Sequence, residues 1–369
     1  VAKEKVHVGY VIPGWDFYNG CVHFRNFLPG LGLARRGNTV EFILLGENIS
    51  EQNFKDIDVV IFSRAVPPQI VPIIDLVKRL KKKIIWETDD DLENIDDSNP
   101  ARGPIGRMMT GIKMMAWEAH AITTTTQPLA DRLRQRYPSA SQIYVCPNAL
   151  DLEQYKPRKE HPEDFVIGWS GGCSHSTDLL MVLDPLIELN KKVDFTFVLQ
   201  GFTLGMVDAQ EHVWKRMLDM SGANQEQYYY IVKSLEMCSK FKEFKRFMHV
   251  PFYPTEMVPK VFQRLSFDIG LAPLLDTEFN HAKSCIKYYE YAAVGTTTMA
   301  SNVIPYNVEL NYTINNTKED WMEQTERMIT DKDFRENTLK EQEEWMRENR
   351  DLAKVAETWE KAFLEVVNG

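Results

Sequence analysis

Lys283, Lys287, Glu290 and Tyr291 recur at spacings of four, three and one inside the stretch LAPLLDTEFNHAKSCIKYYEYAAVGTTTMAS, Leu271 to Ser301. If a helix opens near Ser284, two ammonium groups and a carboxylate share one face close to its N-terminal end. A face meant for the core should be apolar. Here Ile286, Tyr289 and Ala293 offer a packing face and leave the charged one over. Ammonium groups at a helix N-terminus favour an anion, and a carboxylate one turn further in can accept hydrogen bonds from the paired hydroxyls of a sugar. That combination suits a nucleoside diphosphate and its ribose. The same residues also serve as ordinary i,i+3 and i,i+4 pairs on a solvated helix, so the anion reading calls for partners elsewhere in the chain.

Two other stretches offer them. GWSGGCSHSTDL, Gly168 to Leu179, sets Gly171 and Gly172 after an apolar run, where bare backbone amides can approach a phosphate. Ser170 precedes them, and Ser174, His175, Ser176 and Thr177 fall where the next helix starts. Thr177 or Ser176 is equally an ordinary N-cap for DLLMVLDPLIEL. DDDLENIDD, beginning at Asp89, holds five Asp and one Glu in nine residues. Crowded carboxylates require a metal, hydrogen-bond donors, raised pKa values or plain exposure. Neighbours on an extended chain point opposite ways, so Asp89 and Asp90 face one ligand only across a turn.

The elements that must position these groups are legible as alternation. In the first half VHVGYVI (6–12), TVEFILL (39–45), DVVIF (58–62), KIIWET (83–88), AITTTT (121–126) and IYVCPN (143–148) read as strands. Helical stretches such as PPQIVPIIDLVKRLKKK and QPLADRLRQRY lie between them. DFVIGWSG (164–171), DFTFVLQG (194–201), MHVPFY (248–253), FDIGLAPL (267–274) and TTTMAS (296–301) repeat the scheme. Such alternation implies parallel sheets covered on both faces, with ligands at the carboxyl ends of the strands. The loop PGWDFYNG, ending at Gly20, carries no GxGxxG, which argues against an NAD enzyme. The polar, Pro-bearing KPRKEHPED reads as a linker and places a boundary near Asp151.

KxxEYxAxG before an apolar strand and Ser resembles the donor-binding signature of family 4 glycosyltransferases of the GT-B fold. The opening around Gly20, Arg25 and LARRGNTV is similar to the start of these enzymes. GWxGxxxHxxDL resembles a subset of bacterial and phage members, and Pro147, Asn148 and Asp151 resemble the approach to their hinge. Two positions depart: Ala282 stands where many members have a further Glu, and Thr297 where many have Pro.

The resemblance implies an α/β protein of GT-B architecture, two Rossmann-like domains whose parallel sheets face across a cleft. Residues 1–151 would form the acceptor side, 152–340 the nucleotide-sugar side, and 341–369 a C-terminal helix returning to the first domain. It implies a glycosyltransferase moving a sugar from a nucleoside-diphosphate sugar, UDP-sugar foremost and GDP-sugar second, to an acceptor hydroxyl, with retention and without an obligatory metal or other cofactor. Gly20, Arg25, Ser170, Gly171, Gly172, His175 and Glu290 would then bind the donor. Lys283 and Lys287 would stabilise the departing diphosphate, and Asp89 or Asp90 would stand at the acceptor. A glycan, a lipid-linked sugar, a protein and a modified DNA base all fit as acceptor partners. A nucleotide-sugar epimerase of the same fold and a non-catalytic nucleotide- or glycan-binding module fit the same motifs.

Composition bounds the rest. A chain of 369 residues exceeds one ordinary core and suggests two. With 44% apolar and 26% charged residues it should be globular throughout. Lys plus Arg is 43 against 53 Asp plus Glu, and a net charge of −10 opposes non-specific attraction to nucleic acid or anionic lipid. Five cysteines without a CxxC pair suit neither a zinc site nor a disulfide framework. The opening VAKEKVHVGYVI lacks a signal-peptide apolar region, and no apolar run nears the ~20 residues of a membrane span, from which a soluble, cytoplasmic protein is expected. Lys240, Lys242, Lys245 and Arg246, following QEHVWKRMLDMSG and QEQYYY, read first as a solvated helix face and second as a polyanion site. Trp345 and Trp359 are expected to anchor the crossing of the helical tail.

Overall fold

The computed structural model describes residues 2–13, 20–45, 48–64, 67–97, 99, 101–138, 142–158, 164–201, 236–237 and 239–369. The β-branched runs of the first half form β1 (His7–Pro13), β2 (Thr39–Leu45), β3 (Val59–Ser63), β4 (Lys83–Thr88), β5 (Ala121–Thr124) and β6 (Ile143–Val145). Those of the second half form β7 (Val166–Ser170), β8 (Thr196–Gln200), β9 (Phe247–Val250), β10 (Ile269–Ala272) and β11 (Thr297–Ala300). They assemble into a six-stranded sheet, β2-β1-β3-β4-β5-β6, and a five-stranded sheet, β11-β10-β7-β8-β9, with parallel ladders in both. This is the GT-B architecture.

Burial on both faces explains the strand spellings. Val59 and Ile61 enter one core while Val60 and Phe62 enter the other, as a period of two requires. In the second sheet Ile167 and Trp169 face one core and Val166 the other. β1 lies between β2 and β3, and β7 between β8 and β10, so each sheet reverses its order at its first strand. A crevice at the carboxyl ends of the strands follows from that reversal.

The chain leaves the first sheet at Val145 and enters the second at Val166. Its return runs alongside: Leu150 N–H donates to Arg350 O (2.8 Å) and Leu352 N–H to Leu150 O (2.9 Å). Helix Leu352–Asn368 then lays Leu352, Val355, Trp359 and Phe363 against Val6, Leu28 and Leu33 of the first half. Gly32 permits the approach, since a Cβ there would meet Ala356 Cβ at 2.7 Å. Backbone pairing with the first half begins at Arg350. Helix Lys332–Asn349 stays with the second half, where Trp345 stacks on Tyr289. Of the two tail tryptophans only Trp359 sits on the first half, beneath Arg25 and beside Phe363.

QEHVWKRMLDMSG and QEQYYY lie outside the described residues. The basic residues after them are paired at the surface, Lys240 with Asp184, Lys245 with Asp194 (3.0 Å) and Arg246 with Asp164. Phe241, Phe244 and Phe247 pack on Phe197, which supports a solvated charged face over an apolar one. Among the described residues no helix is long and apolar enough to cross a membrane.

Candidate functional site

The carboxyl ends of β1, β3 and β4 face those of β7, β8 and β10 across a cavity of about 740 Å³. Of the residues singled out in the sequence, Gly20, Asp89, Asp90, Ser170, Gly171, Gly172, His175, Lys283, Lys287 and Glu290 line it. Arg25 does not.

On the second-half side, helix Ile286–Ala293 begins two residues later than its sequence suggests, so Lys283 precedes it in the loop and Lys287 lies in its first turn. The two ammonium groups still converge. Lys283 Nζ stands 4.6 Å from the centroid of the Phe279 ring, and Lys287 Nζ stands 5.6 Å from that of Trp169. Burial, together with Lys283, pushes Lys287 down to about 8. Glu290 is buried one turn further in, and burial pushes its carboxyl up to about 7 against the opposing pull of Lys287 and a hydrogen bond from Tyr155. Tyr288, Tyr289 and Tyr291 are buried as well, so this helix is packed nearly all round and is no solvated surface.

The floor of this side is bare backbone. A Cβ on Gly171 would lie 2.7 Å from Trp169 and 3.4 Å from Lys287 Cε, and Gly201, at φ +90, would bring one within 3.0 Å of Gly171 O. Ser170 donates its hydroxyl to Gln200, and its N–H reaches the Tyr291 hydroxyl (2.9 Å). Helix Ser176–Asn190 starts directly behind. Neither Ser176 nor Thr177 occupies its N-cap. His175 does, with no side-chain cap, because its Nδ1 is directed to Asp178 Oδ2 (2.8 Å). Asp178 is itself held by the Leu275 N–H (2.8 Å) and by Asn280. Burial, with Lys287 and Lys283, pushes His175 down to about 4, which keeps it neutral near pH 7. Helix Ile286–Ala293 likewise lacks a side-chain cap, whereas Thr126, Thr317, Asp331 and Asp351 cap helices elsewhere. Two helix starts, two cations and glycine backbone lie together on this side of the cavity, a set of groups that favours negative charge.

On the first-half side the crowded carboxylates find donors. Asp91 is fully buried and held by Arg136 (2.7 Å), Arg132 (3.3 Å) and Asn94 (2.9 Å). Glu93 accepts from the Tyr137 hydroxyl, Asp96 from Thr277 (3.0 Å), and Asp97 pairs with Arg102. A bend at residues 89 and 90 turns both remaining carboxylates onto Arg64, and of the run these two and Ile95 line the cavity. Asp90 also lies 3.9 Å from Lys283 across the opening.

Arg25 is a correction. Its Nε and Nη2 donate to Glu87 (2.6 and 3.0 Å) and its Nη1 to Cys146 O (2.8 Å) and Asn148 Oδ1 (2.9 Å), with Trp359 at 4.5 Å. A buried guanidinium with these partners is framework, joining the ends of β4 and β6 to the final helix. Residues the sequence reading passed over include Arg64, Tyr155, Gln200, Phe252 and Ser284, which meets Asn148 at 2.8 Å across the halves. Arg64 directly follows β3, so its place at a carboxyl strand end was the available signal.

The sequence matches no family model and no curated protein. Among solved structures the chain is similar to sucrose-phosphate synthase from Thermosynechococcus elongatus, at TM-score 0.64 and 11% identity over 98% of this chain and 99% of that one. It is similar to Anabaena HepE in complex with UDP and glucose, at TM-score 0.62 and 11% identity over 98% and 100%. An alpha-glucosyltransferase in complex with UDP-glucose and DNA containing an abasic site gives TM-score 0.65 and 11% identity over 97% and 99%. At such identities the likeness is one of fold.

Proposed function

We propose that the protein is a glycosyltransferase that moves a sugar from a nucleoside-diphosphate sugar, foremost a UDP-sugar, to an acceptor hydroxyl. The observation that carries this reading is the pair Lys283 and Lys287 beside the bare backbone of Gly171, opposite Asp89 and Asp90 across one cavity. The diphosphate lies on the lysines and the two helix starts, and Glu290 accepts from the ribose hydroxyls. Gly20 and Ser170 line the walls between the two sides. As the glycosidic bond to the diphosphate breaks, negative charge grows on the leaving oxygen, where fixed cations and helix amides stabilise it best. Neutral His175, fixed by Asp178, offers Nε2 toward the same region.

Asp90 stands at the acceptor side only 3.9 Å from Lys283. The carboxylate that receives the acceptor hydroxyl thus neighbours the cation that receives the leaving phosphate, which supports departure and attack on one face, with retention. UDP and UDP-glucose in the similar structures, all of the same fold, favour uridine as the base.

Mass spectrometry of the purified protein incubated with UDP-glucose, UDP-N-acetylglucosamine and GDP-mannose tests the reading. Each is offered alone and with a glycan, a lipid-linked sugar, a peptide and hydroxymethylated DNA. Acceptor-dependent consumption of a donor supports it. Epimer formed without acceptor, or binding without turnover, overturns it.

A further inference from the structure

Arg64 ends β3 in a left-handed conformation, φ 55, which a residue bearing a Cβ adopts only when its surroundings impose it. Here β4 imposes it. Arg64 N–H donates to Glu87 O (2.6 Å), and Arg64 O accepts from Trp86 Nε1 (3.0 Å). The outcome is a guanidinium delivered to the cavity wall, where Nη1 meets Asp89, Asp90 Oδ2 (3.0 Å) and Cys21 Sγ (3.1 Å). The other oxygen of Asp90 points to Lys283.

We propose that Arg64 is the positioning residue of the acceptor wall, clamping Asp89 and Asp90 together so that the other oxygen of Asp90, on the Lys283 side, is aimed at the incoming hydroxyl. The inference rests on reading Asp90 as the acceptor-side carboxylate. Two carboxylates across one bend repel, and without a cation between them the pair holds a proton more readily. The charged and titratable groups facing this pair are Arg64, Cys21, Lys283, His175, Glu87 and Arg25. Burial pushes the Asp90 carboxyl up, but Lys283 and Arg64 outweigh it and hold it below the usual carboxylate range. A bound diphosphate draws Lys283 to itself. Arg25 is already committed to Glu87, so in the donor complex Arg64 is the cation left to keep Asp90 ionised.

The test is kcat against pH for the wild type, Arg64→Gln and Arg64→Lys, with UDP titrated calorimetrically into each. Arg64→Gln is expected to lose at least about tenfold in kcat near pH 6 and to recover part of it toward pH 8, with UDP affinity within about twofold of wild type. Arg64→Lys keeps the charge, so its acidic limb should stay within about half a pH unit of wild type. An unmoved acidic limb in Arg64→Gln, or a loss equal at every pH, overturns the proposal. Loss of UDP binding in a folded Arg64→Gln also overturns it, and if that variant does not fold, Arg64→Lys decides: an even loss beyond about tenfold at all pH values shows that charge is not what Arg64 supplies. Wild-type turnover in Asp90→Asn is a separate result, which removes the acceptor reading itself and leaves the clamp without a function.

Discussion

The acidic wall at residues 89–97 sets five Asp and one Glu directly after β4, and the wall at 283–290 sets two lysines and one carboxylate at a helix start. In the fold they are opposites. Asp91, Glu93 and Asp97 are each neutralised by Arg132, Arg136, Lys113 or Arg102, all later in the chain. Only Asp89 and Asp90 are left on the cavity, and Arg64 covers them. Lys283 and Lys287 instead both line the cavity, Lys283 with Asp90 at 3.9 Å, and Lys287 is pushed down to about 8. Charge that the fold compensates holds the structure together, and charge that it leaves uncompensated is available to a ligand.

The largest expected effect breaks the compensated wall. Asp91→Ala leaves Arg132 and Arg136 without their buried partner, and removing one member of a buried pair costs about 3 to 5 kcal/mol. Chemical denaturation should show that loss, with UDP affinity unchanged wherever the variant remains folded. Burial raises the Asp91 carboxyl, but Arg136, Asn94 and Arg132 more than offset it, so it sits below its unfolded value. Its contribution is therefore present above the unfolded value of roughly 4 and is lost as pH falls further. The wild-type acid-unfolding limb should flatten in Asp91→Asn.

Next comes the uncompensated wall. Lys287→Ala should lower turnover by about a hundredfold, the scale for deleting one fixed group at a developing oxyanion, with stability little changed. Lys283→Ala should cost less, because Lys283 shares its charge with Asp90 at 3.9 Å. Equal and negligible effects on turnover and UDP affinity would place both lysines outside the donor site.

The parallel strands were legible in the sequence because burial on two faces selects β-branched residues, as in VVIF of β3. That Gly171, Gly172, Lys283 and Lys287 share one cavity was legible because glycine after a strand and lysine near a helix start fall at carboxyl strand ends. Arg25 was misassigned for the opposite reason. Proximity to Gly20 suggested the ligand, while its partner Glu87 lies in another strand and shows only after folding. Helix starts were misplaced by two residues at Lys283, and the N-cap of Ser176–Asn190 fell to His175, since Ser, Thr and Lys near a helix start do not fix which residue begins it. Arg64 escaped notice because its one signal is its place directly after β3, with no motif around it.

A smaller effect belongs to Glu290. With its carboxyl at about 7, it ionises above that pH and can then accept from ribose hydroxyls. Lys287, at about 8, loses its charge above that value and its hold on phosphate with it. UDP affinity should therefore peak between about pH 7 and 8 and fall on both sides. Glu290→Gln should weaken UDP by about 1 to 3 kcal/mol at that optimum and abolish the acidic limb while leaving the alkaline one. Calorimetric titration across pH checks both limbs, and an intact acidic limb in Glu290→Gln would assign it to another group.

The smallest effect sharpens the comparison most, because it asks whether the acidic wall acts through its field or through one carboxylate. Asp97 is mostly exposed, with a side-chain accessibility of 84%, and its partner Arg102 is half exposed at 47%. Water screens such a pair, so Asp97→Asn should change stability by less than about 0.5 kcal/mol. If the wall matters because Asp90 touches the acceptor, turnover should be unchanged as well. If it matters as a general negative potential at the cavity mouth, deleting any member should change kcat/KM, and the change should shrink as salt rises, because the Debye length falls to about 8 Å at physiological ionic strength. Turnover of Asp97→Asn within about 20% of wild type at low and high salt fits contact by Asp90, judged against the tenfold scale expected of a contacting group. A salt-dependent loss of severalfold would instead make the whole acidic run part of substrate capture.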